Sequence, residues 1–365
     1  MAKSLLFIPD ISGFTKFVQT TEVAHSQHVI AELLEILIEA NTQELQLAEV
    51  EGDALFFYRE GKLLSQEKLL AQIETMFTAF TGHLKLLEKN RICPCNACAT
   101  APKLELKIVA HCGDIEFLEV QGNRKPFGKQ VIEAHRLLKN SVESDNYVLI
   151  SKELSSDIEL PIYYYSKVFR FKQGKDTYDQ KEVEYIYSII DSNKLNISEY
   201  SKAKEVVFDK PPGIVFDRNF AIPAESLLEY ITNLSYRHLW VHGVDKFEYK
   251  ENEVTRLGSE HICVINNKHL NFVAVKKKVK PGKYVYGEMT RSIPIADTLY
   301  QFYTISPISE NSCSLKIELY WETKSILKKL LITLFAKKVL MKNTKTSLDL
   351  LFKLTEDSRS IPSSK

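Results

Sequence analysis

The opening stretch SLLFIPDISGF constrains the fold more than any other part of the sequence. It reads as a buried strand that ends on Asp10 and turns at Ser12 and Gly13. Residues 29–41, VIAELLEILIEAN, then carry apolar side chains at helical spacing. LQLAEVEGDALFFY follows as two strands that meet in a hairpin at Glu51, Gly52 and Asp53. Strand, helix and hairpin in this order put one carboxylate at a strand end and another in a hairpin turn.

The next segments continue in the same style. LLAQIETMFTAFTGHLKLLEKN is an amphipathic helix, LELKIVAHCGDIEFLEV supplies strands, and GKQVIEAHRLLKNS is a helix with a glycine start. YVLIS and VEYIYSII add further strands. The mixture predicts one α+β sheet domain over residues 1–195, with helices covering one face. Residues 196–212 are polar, close on Pro211 and Pro212, and read as a linker.

Residues 213–365 follow a different pattern. A strand, IVFDRNFAI, precedes a helix opened by Pro223, then come five strand-like runs and a long amphipathic helix from about Lys324 to Leu354. That order predicts a sheet gripping a helix around a cavity. Two domains also suit a length of 365 residues.

Lysine and arginine number 48 against 47 aspartates and glutamates, a net charge of +1. No overall field favours nucleic acid or an anionic membrane, so neither is an expected partner. Met1 to Phe7 form neither a signal peptide nor a span, which predicts a cytoplasmic protein. Six cysteines are too few for a disulfide scaffold.

Carboxylates meeting at neighbouring strand ends would hold Mg²⁺ or Mn²⁺, which share oxygen ligands with substrate phosphates. Two such ions clamp the attacking and leaving oxygens of a phosphoryl transfer. The segments DISGFT, VEGDALFF, LKIVAHCGDIE and GKQVIEAHRL, in this order over residues 4–190, resemble the class III adenylate and guanylate cyclase domain. The resemblance implies a ferredoxin-like nucleotidyl cyclase fold and a homodimer with sites at its interface. It also implies metal ligands at Asp10, Asp53 and the Ile11 carbonyl, with Gly13 and Phe14 against the phosphates of a nucleoside triphosphate.

The family further uses an asparagine and an arginine four residues apart to orient the ribose and stabilise the transition state. Those positions are Ile132 and Arg136 here. Isoleucine cannot donate a hydrogen bond, and losing such a contact costs about 10²-fold or more. The position three before Gly52 is Glu49, the guanylate cyclase choice, which suits the N1 and N2 protons of guanine. Its partner position, three before Gly128, is Lys125, which matches neither cyclase class.

The resemblance therefore implies a signalling protein that binds nucleoside triphosphate and metal more than it turns over. The alternatives are an active cyclase releasing pyrophosphate, and an apolar-ligand protein with the cyclase domain as dimerisation scaffold. His111 and His135 read as packed histidines.

CPCNAC, carrying Cys93, Cys95 and Cys98, interrupts the connection between a helix and a strand. Three thiolates at this spacing supply most of a zinc site, with Cys112, His111 or a partner chain as fourth ligand; the alternative is a redox-sensitive loop. This insertion with VIEAHRLLKN resembles a bacterial family of unknown function.

The second half resembles the START-like, polyketide cyclase and dehydrase (SRPBCC) superfamily through IPAESLLEYITNLSYRHLW, GVDKFEYKE and RLGSEHICVI. That implies a helix-grip domain with an apolar cavity. Trp240, His242, His261, Tyr284 and Trp321 are candidate lining positions for an apolar small molecule, or simply core. KKLLITLFAKKVLMK reads as a helix whose apolar face covers the sheet and whose lysines face out, rather than as a membrane-surface helix.

Overall fold

A computed structural model of the chain describes residues 3–198 and 205–359, apart from 179, 252, 292, 294 and 295. Residues 199–204 of the expected linker lie outside the described residues. The chain divides into two compact units, Met1–Glu88 with Asn96–Tyr200, and Lys89–Cys95 with Ser201–Lys365.

The first unit runs β1 (Ser4–Ser12), α1 (Phe14–Thr20), α2 (Val23–Glu39), β2 (Gln46–Glu51), β3 (Ala54–Arg59), α3 (Gln66–Asn90) and α4 (Asn96–Thr100). It continues with β4 (Glu105–Gly113), β5 (Glu116–Val120), β6 (Asn123–Phe127), α5 (Lys129–Leu137), β7 (Tyr147–Ser151), α6 (Lys152–Asp157), β8 (Lys172–Tyr178) and β9 (Lys181–Ile189). Seven strands form one sheet in the order β2-β3-β1-β4-β7-β9-β8, and β5 and β6 form a separate hairpin. β4 and β7 are parallel, while the other strand pairs of the sheet are antiparallel.

The apolar run Leu5-Leu6-Phe7-Ile8 explains the central place of β1, since all four residues are fully buried. Successive strand residues point to opposite faces, so both faces of the sheet are covered at its centre. This corrects the expectation of helices on one face only. Leu6 and Ile8 pack with Phe56, Tyr58 and Ala134, which puts α5 on their side. Gly52 sits at φ 68 in the turn between β2 and β3, a conformation that favours glycine.

The second unit runs β10 (Glu205–Val206), β11 (Ile214–Phe220), α7 (Ala224–Thr232), α8 (Arg237–Trp240), β12 (Lys246–Glu248), β13 (Glu260–Ile265), β14 (Lys268–Lys277), β15 (Tyr284–Thr290), β16 (Thr298–Ser309) and β17 (Ser312–Glu322). α9 (Ile326–Leu331), a π-helical turn (Ile332–Ala336) and α10 (Lys337–Arg359) follow. The sheet order is β11-β17-β16-β15-β14-β13-β12, with β10 added alongside β14. Leu227, Leu228 and Ile231 of α7 and Leu348 and Leu351 of α10 share one core with Ile214, Tyr286, Tyr303, Leu315 and Ile317 of the sheet. Gly213 admits the Trp321 ring, since a Cβ there would lie 1.9 Å from Cη2.

The terminal helix departs from expectation along its first half. Ile326, Leu327, Leu330, Leu334, Phe335 and Val339 are exposed, so in this stretch the apolar residues do not cover the sheet. Ile332 is buried in this stretch, and from Leu340 onward Leu340, Leu348, Leu351, Phe352 and Leu354 pack on the core.

Candidate functional site

β1 runs on to Ser12 and not to Asp10 as expected, and the register places Asp10 two residues before its end, opposite Ala54 of β3 on one side and Lys107 of β4 on the other. Asp53 immediately precedes Ala54, and its carbonyl accepts the Ile11 N–H at 3.0 Å. The two aspartates are therefore neighbours across adjacent strand ends. Lys107 Nζ stands 3.4 Å from Asp10 Oδ2. Lys107 was not visible as a site residue in the sequence, because only the pairing of β1 with β4 brings it there.

Burial pushes the Asp10 carboxyl above the usual carboxylate range, with Lys107 opposing and Asp53 adding to the rise. Burial also pushes Asp53 up, against its own backbone hydrogen bond and Lys107. A cation between the two would relieve this poorly solvated negative charge, and two hard carboxylate oxygens suit Mg²⁺ or Mn²⁺. Beside them, the Ser12 hydroxyl is buried without a hydrogen-bond partner. The residues present fit such a cation.

A raised carboxyl pKa means that the ionised form is costlier in the fold than in the open chain. The cost is present above the folded pKa and disappears as pH falls below it. Asp53→Asn should therefore raise the melting temperature at pH 7, by about 2–4 °C for each kcal/mol relieved. The gain should shrink as pH is lowered through the carboxylate range, which thermal unfolding at several pH values would show.

Gly13 takes a left-handed conformation at φ 87 as the N-cap of α1, and Phe14 opens the helix half-buried. Glu49 on β2 and Lys125 on β6 come together, with Nζ 2.8 Å from Oε1 and both side chains largely exposed. On α5, Ile132 is 55% exposed and Arg136 lies one turn further along the same solvent-facing side. His135 packs edge-on against Phe56 at 5.1 Å and lies 3.5 Å from Glu51 Oε2, so it serves the packed surface of α5.

His111 is fully buried between Ser151 Oγ at 2.8 Å and Gln130 Oε1 at 2.9 Å, a satisfied core histidine. Cys112 donates to Asp157 at 3.3 Å, and burial with that hydrogen bond pushes its thiol up to about 12. Both residues are thus committed elsewhere and do not complete the Cys93, Cys95 and Cys98 set. This corrects the choice of fourth ligand.

The family model for a protein of unknown function, DUF2652, matches residues 30–147. An uncharacterized protein of Mycobacterium tuberculosis, Rv2561/Rv2562, is 33% identical over 122 residues, which is 33% of this chain. The chain spans 57% of the length of that curated relative. Solved structures similar to the chain include adenylyl and guanylyl cyclase domains. The adenylyl cyclase CyaB from P. aeruginosa is 18% identical with a TM-score of 0.39, covering 52% of this chain and 94% of that one. The guanylate cyclase domain of RhGC from Catenaria anguillulae, in complex with GTP, is 13% identical with a TM-score of 0.36, covering 52% and 97%. Likeness this distant carries no argument about activity.

In the second unit the five candidate lining residues part company. Trp240 is buried in the core, with its indole N–H donating to the Tyr230 carbonyl at 3.0 Å. Tyr284 and Trp321 pack against the same core, and Tyr284 donates to Glu225 at 2.5 Å. His242 is exposed, which removes it from any cavity wall. His261 is buried and stacks on Phe272, with Nε2 3.6 Å from Glu288 Oε1.

Glu288 pairs with Arg237, which also donates to the Tyr303 hydroxyl at 3.3 Å, while Tyr286 donates to Glu288 at 2.9 Å. This buried cluster was not singled out from the sequence, because no spacing links Arg237 in a helix to Glu288 in a distant strand. Among the described residues, no helix is long and apolar enough to cross a membrane.

Proposed function

We propose that residues 1–195 form a divergent class III nucleotidyl cyclase-like domain that binds a nucleoside triphosphate with a divalent cation and turns it over poorly. The observation that carries this reading is the meeting of Asp10 and Asp53 at adjacent strand ends, with burial raising both carboxyl groups. When bound, Mg²⁺ or Mn²⁺ would neutralise charge on the phosphate oxygens. Asp10, Asp53 and the Ile11 carbonyl would hold it, and the backbone at Gly13 and Phe14 would lie against the phosphates. Lys107 competes with the cation for Asp10.

Glu49 and Lys125 offer an acceptor and a donor side by side, which the pairing edge of either purine can satisfy. Arg136 keeps a positive charge for the phosphates. Ile132, where a polar donor should orient the ribose, supplies no hydrogen bond.

Leu47 and Val50 on β2, Leu118 and Val120 on β5, Phe127 on β6 and Ile132 are all exposed. Exposed apolar side chains around the site support a homodimer, with a second copy as their cover.

Residues 213–365 are proposed as a helix-grip START-like domain that holds an apolar small molecule and reads out nucleotide occupancy in signalling. The packing of α7 and α10 on one antiparallel sheet supports that part.

Incubating the protein with Mn²⁺ and each of the four ribonucleoside triphosphates tests turnover. Cyclic product should stay close to an Asp53→Ala control. Abundant product that the substitution abolishes would make the protein an active cyclase instead.

A further inference from the structure

We propose that His25, Cys93, Cys95 and Cys98 form a structural zinc site. Their four ligand atoms all lie within 4.8 Å of one another. Zn–S and Zn–N bonds of ordinary length set the sulfur and nitrogen corners of a tetrahedral site about 3.6 Å apart. Cys98 Sγ lies 3.6 Å from His25 Nδ1. That pair already stands at the zinc spacing, and the other two sulfurs lie close around it.

Local structure explains how a histidine so far upstream reaches the cysteines. His25 lies in the first turn of α2, three residues after its N-cap, Glu22. The Glu22 carboxylate accepts the N–H groups of Asn96 at 3.3 Å and Ala97 at 3.1 Å, fixing the start of α4. One turn of α2 thus grips the segment twice, with a carboxylate on its backbone and an imidazole beside Cys98.

Cys93 and Cys95 follow the end of α3 and precede α4, so the chain tethers them beside Cys98 on both sides. The Cys95 N–H donates to Cys93 Sγ at 3.5 Å, which holds the two residues in one tight turn. None of the six cysteines is in a disulfide.

The donor set identifies the metal. Three thiolates and an imidazole are borderline-soft ligands that suit Zn²⁺ and not the hard Mg²⁺ or Ca²⁺. Four protein ligands leave no open position, so the ion braces structure and does not activate water. α2 and α4 both touch α1, the helix that follows the Asp10 turn, so holding His25 to Cys98 would stiffen the packing of these three helices. The site is independent of the nucleotide reading.

The 365-residue chain purified without chelator should carry one zinc per chain by elemental analysis. Co²⁺ exchanged in its place should show the intense visible bands of a tetrahedral site together with sulfur-to-metal charge transfer. Cys98→Ser should lose the metal. His25→Ala should lower zinc affinity by more than the about 10–100-fold that removing an outer-shell partner costs.

Where these variants fold poorly, chelation of the wild-type protein gives the same answer: stripping zinc should lower the melting temperature, and restoring it should recover the loss. Zinc-free protein from zinc-supplemented growth, an octahedral Co²⁺ spectrum, or a disulfide within the Cys93–Cys98 segment in place of metal would overturn the proposal.

Discussion

Arg237→Met should destabilise the second unit by about 3–5 kcal/mol, the range for breaking one partner out of a buried ion pair. The Arg237 side chain is 2% exposed and that of Glu288 7%. Burial works against the guanidinium charge, but Glu288, Tyr303 and Tyr286 outweigh it and hold the pKa above the usual range. Burial lowers the pKa of His261, with Glu288 opposing and Arg237 adding to the drop, so the neutral ring is favoured while Arg237 is in place. Methionine fills much of the volume and leaves the Glu288 carboxylate buried with the Tyr286 hydroxyl but no positive charge.

Trp240 and Trp321 are the two tryptophans of the chain, so fluorescence during urea unfolding reports this unit alone. A double change, Arg237→Met with Glu288→Leu, should recover most of the loss, because an apolar pair avoids burying either charge. A single-variant cost below about 1 kcal/mol would show that the pair is solvated in the folded state.

Ile132→Asn should raise cyclic nucleotide formation about 10²-fold in the presence of Mn²⁺, the effect expected of one positioned donor at a developing charge. Ile132 is 55% exposed, so the exchange asks little of the fold. Arg136, four residues on, stays in place to meet the phosphates. A variant no faster than the wild-type protein would show that Ile132 does not face the reacting nucleotide.

Much of the first unit was legible because its signals are local. Apolar runs name β1 and β3, Gly52 names the turn between β2 and β3, and the carboxylates stand beside these signals in the chain. What depends on register or long-range contact was not legible. Lys107 lies in a strand that the sequence shows plainly, yet its place beside Asp10 follows only from pairing β1 with β4.

His25 carries no spacing signal towards Cys93, and the fourth-ligand choices nearer at hand, His111 and Cys112, proved to be committed to Ser151, Gln130 and Asp157. In the second unit, the strand runs and the start of the first helix were legible, but not its break between Thr232 and Arg237, nor the pairing of Arg237 with Glu288. The terminal helix misled for a different reason: periodicity shows that an apolar face exists and not whether anything covers it. From Ile326 to Val339 that face is largely exposed.

The central claim, that Asp10 and Asp53 bind a metal–nucleotide complex, is tested most directly by calorimetric titration of the full chain with nucleoside triphosphate and Mn²⁺. The account predicts saturable, metal-dependent heat from the wild-type protein and at least about 10²-fold weaker binding by Asp53→Ala, which removes one of two carboxylate ligands. Absence of binding by the wild-type protein with all four ribonucleoside triphosphates, or binding unchanged in Asp53→Ala, would contradict it.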